Sequence, residues 1–241
     1  MKKWITRNGY VVYFILRGGC NCYLVRKDDI NILVDTGSSK HFNKLQENLR
    51  SLKLRRSEID YLILTHTHYD HCENAAKIKE QENCRIIISE FDKDSTEKGY
   101  TLIPGGTFLV TDLLSRAGKQ IGKSLFGYPP FKADIFVYDS LDLAEKELKI
   151  KLIRTAGHSV GSISVIVDNE IAITGDEMIG MFKNSVFPPF TDNVVEMVKS
   201  WGRLLDTSCE VFLPGHGREI KRSLLKSEYE KYGKKYKVIA D

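Results

Sequence analysis

One stretch rich in histidine and aspartate constrains this chain more than any other segment. It occupies residues 65–71, reads THTHYDH, and directly follows the apolar run 61–64. For a chain with this many histidines and aspartates, a chance match to His-x-His-x-Asp-His has a probability on the order of 10⁻⁴. The pattern indicates a buried strand that ends at a loop of metal-binding side chains.

The spacing within this loop has a physical meaning. Side chains two residues apart on an extended segment point to the same side, so His66 and His68 can bind one metal ion together. The chain must then turn into a helix that begins near Glu73, and this turn lets Asp70 and His71 point to a neighbouring position. The stretch therefore predicts half of each of two adjacent metal sites.

Three further motifs supply the remaining ligands. His158 lies in Ala-Gly-His-Ser, His216 in Pro-Gly-His-Gly and Asp176 in Ile-Thr-Gly-Asp, each close behind a predicted strand. A catalytic zinc site usually has three protein ligands and a water, and the two oxygens of Asp176 could bridge both ions. This gives five histidines and two aspartates, although spacing alone does not assign them to particular ions. The sixth histidine, His41, is expected on a helix surface.

The rest of the chain predicts an α/β protein in two similar halves. Predicted strands cover 10–17, 20–26, 31–35, 61–64, 85–89, 135–138, 148–154, 162–167, 171–174 and 210–213. Predicted helices cover about 42–52, 73–81, 91–98 and 192–205, with another after Gly217. Ser38 or Ser39 is expected to cap the first helix. The halves show no sequence repeat and no flexible linker, so we expect one domain, 1–241, with a shared core.

Residues 99–132 interrupt this alternation. Val110, Leu114, Ala117, Ile121 and Leu125 keep helical spacing between turns rich in glycine and proline. We interpret 99–132 as an inserted helical segment near the active site. The helix could either pack onto the core or act as a lid.

Composition limits the class of protein and of partner. The chain has 241 residues, 42% hydrophobic and 28% charged, with a formal net charge of +4. This excludes a largely disordered or fibrous protein and gives little support for nucleic acid as a partner.

The five cysteines are expected to be thiols, with Cys20 and Cys22 in a buried strand. No apolar run approaches the ~20 residues of a spanning helix, and the N-terminus does not fit a signal peptide. We expect a cytoplasmic protein with a small-molecule substrate and no membrane partner. The oligomeric state is not predicted.

The order HTHYDH, GHS, GD and GH resembles the metallo-β-lactamase-fold hydrolases, as do NCYLV at 21–25 and LVDTG at 33–37. The resemblance covers most of the chain. It implies a four-layer αβ/βα sandwich of two sheets with a binuclear metal centre. It also implies His66, His68 and His158 on the first metal, Asp70, His71 and His216 on the second, and Asp176 bridging both.

A reaction follows from these charges. A hydroxide held between two cations is available near neutral pH, because metal binding lowers the pKa of water. Asp70 is the expected catalytic residue, since it can orient the hydroxide while it binds the second metal. Zinc is the first expectation, with iron or manganese as alternatives. Asp35 could support the metal loop through hydrogen bonds or could simply form a turn.

Departures from the family pattern argue against several known groups within the family. The missing signal peptide and Asp176 argue against an exported β-lactamase, and the 25 residues after His216 are too few for the glutathione-binding region of glyoxalase II. Acyl-homoserine lactonases usually carry a tyrosine where this chain has Ile179. The flavodiiron reductases replace the second histidine of the first motif by glutamate, so His68 argues against that group. Glu73 stands where the family more often has glycine. The sequence does not predict how this changes the start of the helix or the access of substrate.

The sequence thus predicts a metal-dependent hydrolase of a small ester, thioester or lactone. A phosphodiesterase resembling the tRNA 3′-processing ribonucleases, or a metal-binding protein without catalysis, are the alternatives. The substrate pocket is expected to include Tyr69, the 99–132 segment and Phe187 to Phe190, although each of these could instead pack in the core.

Overall fold

The computed structural model describes residues 1–55, 57–143 and 148–240. The chain divides into two compact units. Unit 1 comprises Met1–Leu102 and Gly122–Val137, and unit 2 comprises Ile103–Ile121 and Tyr138–Asp241. The 99–132 segment is therefore shared between the units. The mixed α/β class with two sheets is confirmed, whereas the single shared core over 1–241 stays a prediction.

Unit 1 contains a sheet with seven strands among the described residues, paired in chain order. The strands are β1 (Lys3–Ile5), β2 (Val11–Gly18), β3 (Cys20–Lys27), β4 (Ile30–Val34), β5 (Tyr61–Ile63), β6 (Arg85–Ser89) and β7 (Ile135–Val137). The helices are α1 (Phe42–Ser51), α2 (Tyr69–Cys72), α3 (Ala75–Glu82), α4 (Lys93–Lys98) and, after the segment that belongs to unit 2, α6 (Lys123–Phe126).

The strand directions explain where the unit 1 loop lies. β1 to β4 pair antiparallel, whereas β4 to β7 pair parallel. Parallel strands place their carboxyl ends at one edge of the sheet, and they need apolar residues on both faces. β4 and β5 are buried along their whole length. Asp35 follows β4 and Thr65 follows β5, so both residues lie at the same edge.

Unit 2 contains a sheet of six described strands in the order β13-β12-β11-β10-β9-β8. The strands are β8 (Ser140–Asp142), β9 (Ile150–Arg154), β10 (Ile163–Val167), β11 (Ile171–Gly175), β12 (Val211–Pro214) and β13 (Ile220–Lys221). The helices are α5 (Leu109–Ile121), α7 (Val194–Leu205) and α8 (Arg222–Lys235). β11 and β12 are a parallel pair in this sheet. Their carboxyl ends therefore lie together, and they lead into Asp176 and His216.

Each unit has its own apolar cluster. In unit 1, Leu45, Leu62 and Ile86 are fully buried between the sheet and its helices. In unit 2, Trp201 is fully buried and donates a hydrogen bond from Nε1 to the carbonyl oxygen of Glu177 at 2.8 Å. No helix among the described residues combines the length and the apolar composition that a membrane span requires.

Most predicted elements are present, with three corrections. The helix expected over 110–125 is two helices, α5 and α6, because Gly122 at φ 58° separates them. β1, β8 and β13 were not predicted, because strands of two or three residues carry little pattern. Ser38 does not cap α1: its hydroxyl instead contacts Nδ1 of His41 at 2.9 Å, which leaves His41 half-buried in a 3₁₀ turn.

The 99–132 segment also departs from the core-packing interpretation. Val110, Leu114 and Ile121 are at least half exposed, as is Leu125. By contrast, Tyr128 and Phe131, which belong to the segment expected either to line the pocket or to pack in the core, are buried in the apolar cluster of unit 1. Phe187 is likewise buried in unit 2 against Trp201 and Tyr232.

Candidate metal centre

Unit 1 brings together the four candidate metal ligands of the 65–71 loop. The rings of His66 and His68 lie 4.6 Å apart between centroids, and those of His66 and His71 lie 4.0 Å apart. The three imidazoles are almost completely buried, whereas Asp70 is half-buried in α2. Ligand atoms of Asp70 and His71 lie within 4.8 Å of each other. The four side chains expected to form two pairs therefore lie together in this unit, and their division between two metal ions stays a prediction.

Asp35 orients two of these rings. Its Oδ2 accepts a hydrogen bond from Nδ1 of His71 at 2.9 Å and another from the Thr65 hydroxyl at 2.8 Å. Its Oδ1 accepts the Thr65 backbone N–H at 2.8 Å. Because the Thr65 proton points to Asp35, the Thr65 oxygen can accept from Nδ1 of His66 at 3.2 Å. Both rings are thereby held as tautomers whose Nε2 can bind a metal.

His68 is oriented by a different contact. Its Nε2 lies 3.2 Å from the carbonyl oxygen of Leu102. A carbonyl can only accept a hydrogen bond, so this nitrogen carries the proton and Nδ1 is the nitrogen that can bind a metal. The nitrogen that can bind a metal is thus Nδ1 in His68 but Nε2 in His66 and His71, which the sequence spacing did not indicate.

Unit 2 brings together His158, Asp176 and His216. Oδ2 of Asp176 lies 3.2 Å from Nε2 of His216 and 3.8 Å from Nε2 of His158. Nδ1 of His158 donates to the carbonyl oxygen of Phe190 at 3.0 Å, which leaves Nε2 as the nitrogen that can bind a metal. A carboxylate oxygen beside two imidazole Nε2 atoms is a donor set that suits Zn²⁺, Fe or Mn²⁺.

Steric crowding explains why glycine stands beside the histidine in two of the motifs. Gly157 has φ 153°, and a Cβ there would lie 2.3 Å from Cα of Met197. Gly217 has φ 90°, and a Cβ there would lie 2.3 Å from the carbonyl carbon of Gly180. The loop of His158 therefore packs directly on α7, and the loop of His216 packs on the backbone after Asp176. A side chain at either glycine would displace a histidine.

The structure shows a buried acid beside Asp176 that the sequence analysis missed. Glu177 is fully buried, and its Oε2 accepts the backbone N–H of His158 at 3.2 Å. Burial raises the pKa of Glu177 well above its usual value, and the nearby Asp176 raises it further. The only signal in the sequence was its position directly after Asp176.

A second buried acid lies behind the unit 1 loop. Asp92 is 2% exposed and bonds to the side chain and backbone of Thr67, between His66 and His68. Thr67 also bonds through its hydroxyl to Thr101 at 2.8 Å, and Thr101 bonds to the Tyr128 hydroxyl at 2.8 Å. This network supports the loop from its inner side, and no pattern in the sequence indicated it.

Glu73 has a structural role that accounts for the departure from the family pattern. Its carboxylate accepts the Ser39 backbone N–H at 2.7 Å and the Ser39 hydroxyl at 2.8 Å. Glu73 therefore ties the start of the 39–41 turn to the end of α2.

The five cysteines are buried thiols, as expected.

Comparisons with known proteins identify the family of this chain. The family model of the metallo-beta-lactamase superfamily matches residues 15–216. A probable metallo-hydrolase of Methanocaldococcus jannaschii is 29% identical over 191 residues, which cover 78% of this chain and 82% of the relative. A beta-lactamase-like protein 2 homolog of Drosophila melanogaster is 22% identical, and the match covers 88% of this chain but 63% of that protein.

Two solved structures show the same fold at low sequence identity. A metallo-beta-lactamase of Cronobacter sakazakii with a HARLDQ motif superposes with a TM-score of 0.67 at 17% identity, covering 99% of this chain and 93% of that one. An archaeal superfamily protein of Sulfolobus tokodaii gives a TM-score of 0.61 at 20% identity, covering 92% and 83%. The chain therefore belongs to the metallo-beta-lactamase superfamily, and it is a metallo-hydrolase of that family.

Proposed function

We propose that this protein is a binuclear metal hydrolase of a small-molecule ester, thioester or lactone. In this proposal His66, His68 and His158 bind one divalent ion, Asp70, His71 and His216 bind the other, and Asp176 binds both. The assignment to the two ions rests on the family resemblance of the motifs. Zinc is the first candidate, because mixed imidazole and carboxylate sites suit it, and iron or manganese are alternatives.

One observation carries the proposal: candidate ligand histidines in both units form hydrogen bonds through the ring nitrogen that would not bind the metal. Nδ1 of His71 is fixed by Asp35, and Nδ1 of His158 by the carbonyl of Phe190. Such contacts to the second ring nitrogen are typical of metal-binding histidines, since they fix the tautomer and raise the basicity of the ligand nitrogen. Isolated buried histidines would not need this arrangement in both units.

The chemistry divides between the metals and the chain. Bound divalent ions supply Lewis acidity and lower the pKa of water towards neutrality. The half-buried carboxylate of Asp70 is suited to accept a hydrogen bond from the attacking water and so to orient it. Asp35 and Thr65 keep the loop in place during the reaction, because neither of their shared hydrogen bonds needs to change. No side-chain nucleophile is required.

The substrate class follows from charge. A net charge of +4 over 241 residues does not indicate a polyanionic partner. A ribonuclease would need several Lys or Arg contacts to a phosphate backbone, and its RNA affinity would then fall steeply with salt. We therefore favour a small acyl substrate over RNA. The cytoplasmic location is a prediction from the sequence alone.

The test combines metal analysis with a substrate panel. We expect two equivalents of metal per chain by elemental analysis after expression in zinc, iron or manganese supplements. The metal-loaded protein is then assayed against aryl esters, thioesters, lactones, a β-lactam, bis(p-nitrophenyl) phosphate and a structured RNA. Asp176→Ala is the inactive variant, and the exposed Asp94→Ala is its matched control. A protein that takes up no metal would overturn the proposal.

A further measurement separates the acyl and nuclease functions. RNA binding is measured at about 50 and 200 mM salt, where several phosphate contacts would give a loss of about 10³-fold or more. We expect weak binding with little salt dependence, together with turnover of an acyl substrate. Tight, salt-sensitive binding followed by metal-dependent RNA cleavage would identify a nuclease instead.

A further inference from the structure

Helix α5 buries its small and polar residues and exposes its large apolar ones, unlike an ordinary amphipathic helix. Its buried residues are Ser115 and Gly118, and the Ser115 hydroxyl donates to the carbonyl oxygen of Pro104 at 2.6 Å. Its large apolar side chains point away from the unit: Leu109 is 88% exposed and Leu113 is 68% exposed. A surface helix normally buries its apolar stripe and exposes its polar one. The helix therefore presents a surface that is suited to a partner.

The exposed side chains form a continuous ridge. Leu109, Leu113, Ala117 and Ile121 follow one another at intervals of four residues, and all are exposed. Val110, which is 69% exposed, and Leu114, which is 59% exposed, form a parallel row beside them. Rows of this spacing are the ridges that interlock when two helices pack. We call these six residues the α5 face.

A rim of charged residues borders one side of the α5 face. At 100° per residue, Asp112, Arg116 and Lys119 lie on the same edge of the helix. Arg116 pairs with Asp112 of its own helix at 2.9 Å. The acid lies towards the amino end and Lys119 towards the carboxyl end, so the rim has opposite charges at its two ends.

We propose that the α5 face is the contact surface of a homodimer in which α5 packs antiparallel against α5 of a second copy. A two-fold axis reverses the rim, so that Asp112 of one copy faces Lys119 of the other. The same axis places Leu113 opposite Ala117 and Leu109 opposite Ile121, which pairs large side chains with smaller or branched ones. Parallel packing about a two-fold axis along the helices would instead place the two rims on opposite sides of the interface, so that Asp112 and Lys119 would not face each other.

The size of the face sets the expected strength of the dimer. A 13-residue helix is about 20 Å long, so one face offers a few hundred Å², below the roughly 800 Å² per partner of a stable complex. A shallow recess of about 660 Å³ extends the surface at the amino end of α5, where Ile121 of the second copy would arrive. We therefore expect a dimer that forms in the micromolar range and depends on concentration.

Charge also favours a second copy over an anionic lipid surface. Within α5 the acid is already paired with Arg116, and the rim carries both signs. A helix that lies on anionic lipid is instead rich in Lys and Arg on its polar face. In the reversed copy Asp112 and Lys119 exchange places, and Arg116, which is already paired with Asp112 of its own helix, lies close to the two-fold axis.

The first test measures association by sedimentation velocity on the full chain from about 2 to 200 µM. We compare the wild-type protein with the Leu109→Gln/Leu113→Gln variant. Removing two large apolar contacts should weaken dimerisation about tenfold or more. Both positions are exposed, so the fold should be retained, which circular dichroism checks. Val195→Gln, a similar change at a partly exposed position on α7, is the matched control and should dimerise like the wild type.

The second test checks the orientation of the helices. Lys119→Gln removes a favourable pair in the antiparallel arrangement and should weaken the dimer about twofold to fivefold. In a parallel arrangement Lys119 would not face the rim of the second copy, so an unchanged or tighter dimer in this variant would overturn the proposed geometry. A wild-type protein that stays monomeric at 200 µM would overturn the dimer itself.

Two other occupants of the α5 face give distinct results. A monomer that co-sediments with phosphatidylcholine/phosphatidylserine vesicles, and loses this binding in the Leu109→Gln/Leu113→Gln variant, would assign the face to lipid. A monomer whose selectivity among acyl substrates changes in that variant would assign it to the substrate. Either result would overturn the homodimer, and neither would affect the proposed metal site.

Discussion

Oδ2 of Asp35 accepts hydrogen bonds from both His71 Nδ1 and the Thr65 hydroxyl, at 2.9 and 2.8 Å. One buried carboxylate oxygen thus orients one candidate metal ligand, His71, directly and a second, His66, through Thr65. Asp35 itself adopts φ 60°. It lies directly after β4, so the parallel sheet brings it to the loop that follows β5.

The first prediction concerns this contact. Asp35→Asn keeps the size of the side chain but lacks the charged oxygen that fixes His71 Nδ1. We expect metal affinity or turnover to fall about 10- to 100-fold, the usual effect of removing such a support. Metal-competition titration and initial rates measure it. Asp28→Asn is the control, since Asp28 is exposed and also has positive φ, at 52°. Equal losses in both variants would contradict a specific role for Asp35.

How far the sequence predicts this site can be seen from Asp35 and Asp92. Asp35 could be suspected because it ends a strand in a glycine-containing turn, although the same pattern fits an ordinary turn. Asp92 could not be, because its contact with Thr67 joins residues 25 positions apart and follows no local period. Patterns of two or 3.6 residues reveal strands, helices and ligand spacing, but hydrogen bonds between distant segments leave no such pattern.

The α5 helix shows a different limit. Its periodicity was recognised, and α5 is a helix, but periodicity does not say whether an apolar face points inward or outward. Ser115 and Gly118 occupy the inner side, where the Ser115 hydroxyl donates a hydrogen bond to the carbonyl oxygen of Pro104. The direction of an amphipathic helix depends on the packing partner, which one sequence does not contain.

The second prediction concerns Asp70. Asp70→Ala should keep the fold, because this side chain is half-buried in the short helix α2. It should remove most hydrolysis, about 10²-fold or more, since a metal ligand and the group that orients water are lost together. Steady-state kinetics of the metal-loaded variant measure this loss. Asp94→Ala, on the exposed side of α4, should keep wild-type rates. Wild-type turnover by folded Asp70→Ala would place the chemistry elsewhere.

The third prediction concerns metal removal. Buried imidazoles and carboxylates that share ions should bind metal only in the folded chain, so metal stabilises the fold. At a free metal concentration of about 1,000 times Kd the gain is about 4 kcal/mol, which corresponds to a Tm higher by about 10 °C for a chain of this size. Scanning calorimetry before and after dialysis against a chelator measures it. His66→Ala should show a smaller shift, and an unchanged Tm on chelation of the wild type would contradict the prediction.

The last prediction concerns the pH dependence of stability. Burial raises the pKa of Asp92 from its ordinary value of 3.8 to about 7, although hydrogen bonds from Thr67 partly oppose the rise. The neighbouring Cys72 and Tyr128 have raised pKa values too, so both stay neutral at neutral pH. A carboxyl with a raised pKa in the folded state holds its proton more tightly there than in the unfolded chain. Its contribution to stability is therefore complete below about pH 4 and is lost as the pH rises to about 7.

Asp92→Asn isolates this contribution, because an amide does not titrate. Between pH 5 and pH 8 the free energy of unfolding of the variant should rise relative to wild type by up to an amount on the order of 3 kcal/mol. Urea unfolding at several pH values measures the difference, in which the pH dependence of metal binding largely cancels. Asp94→Asn, exposed on the following helix, should run parallel to wild type. Parallel curves for Asp92→Asn as well would mean that Asp92 is ionised in the folded protein throughout this range, with Thr67 rather than a proton compensating its charge.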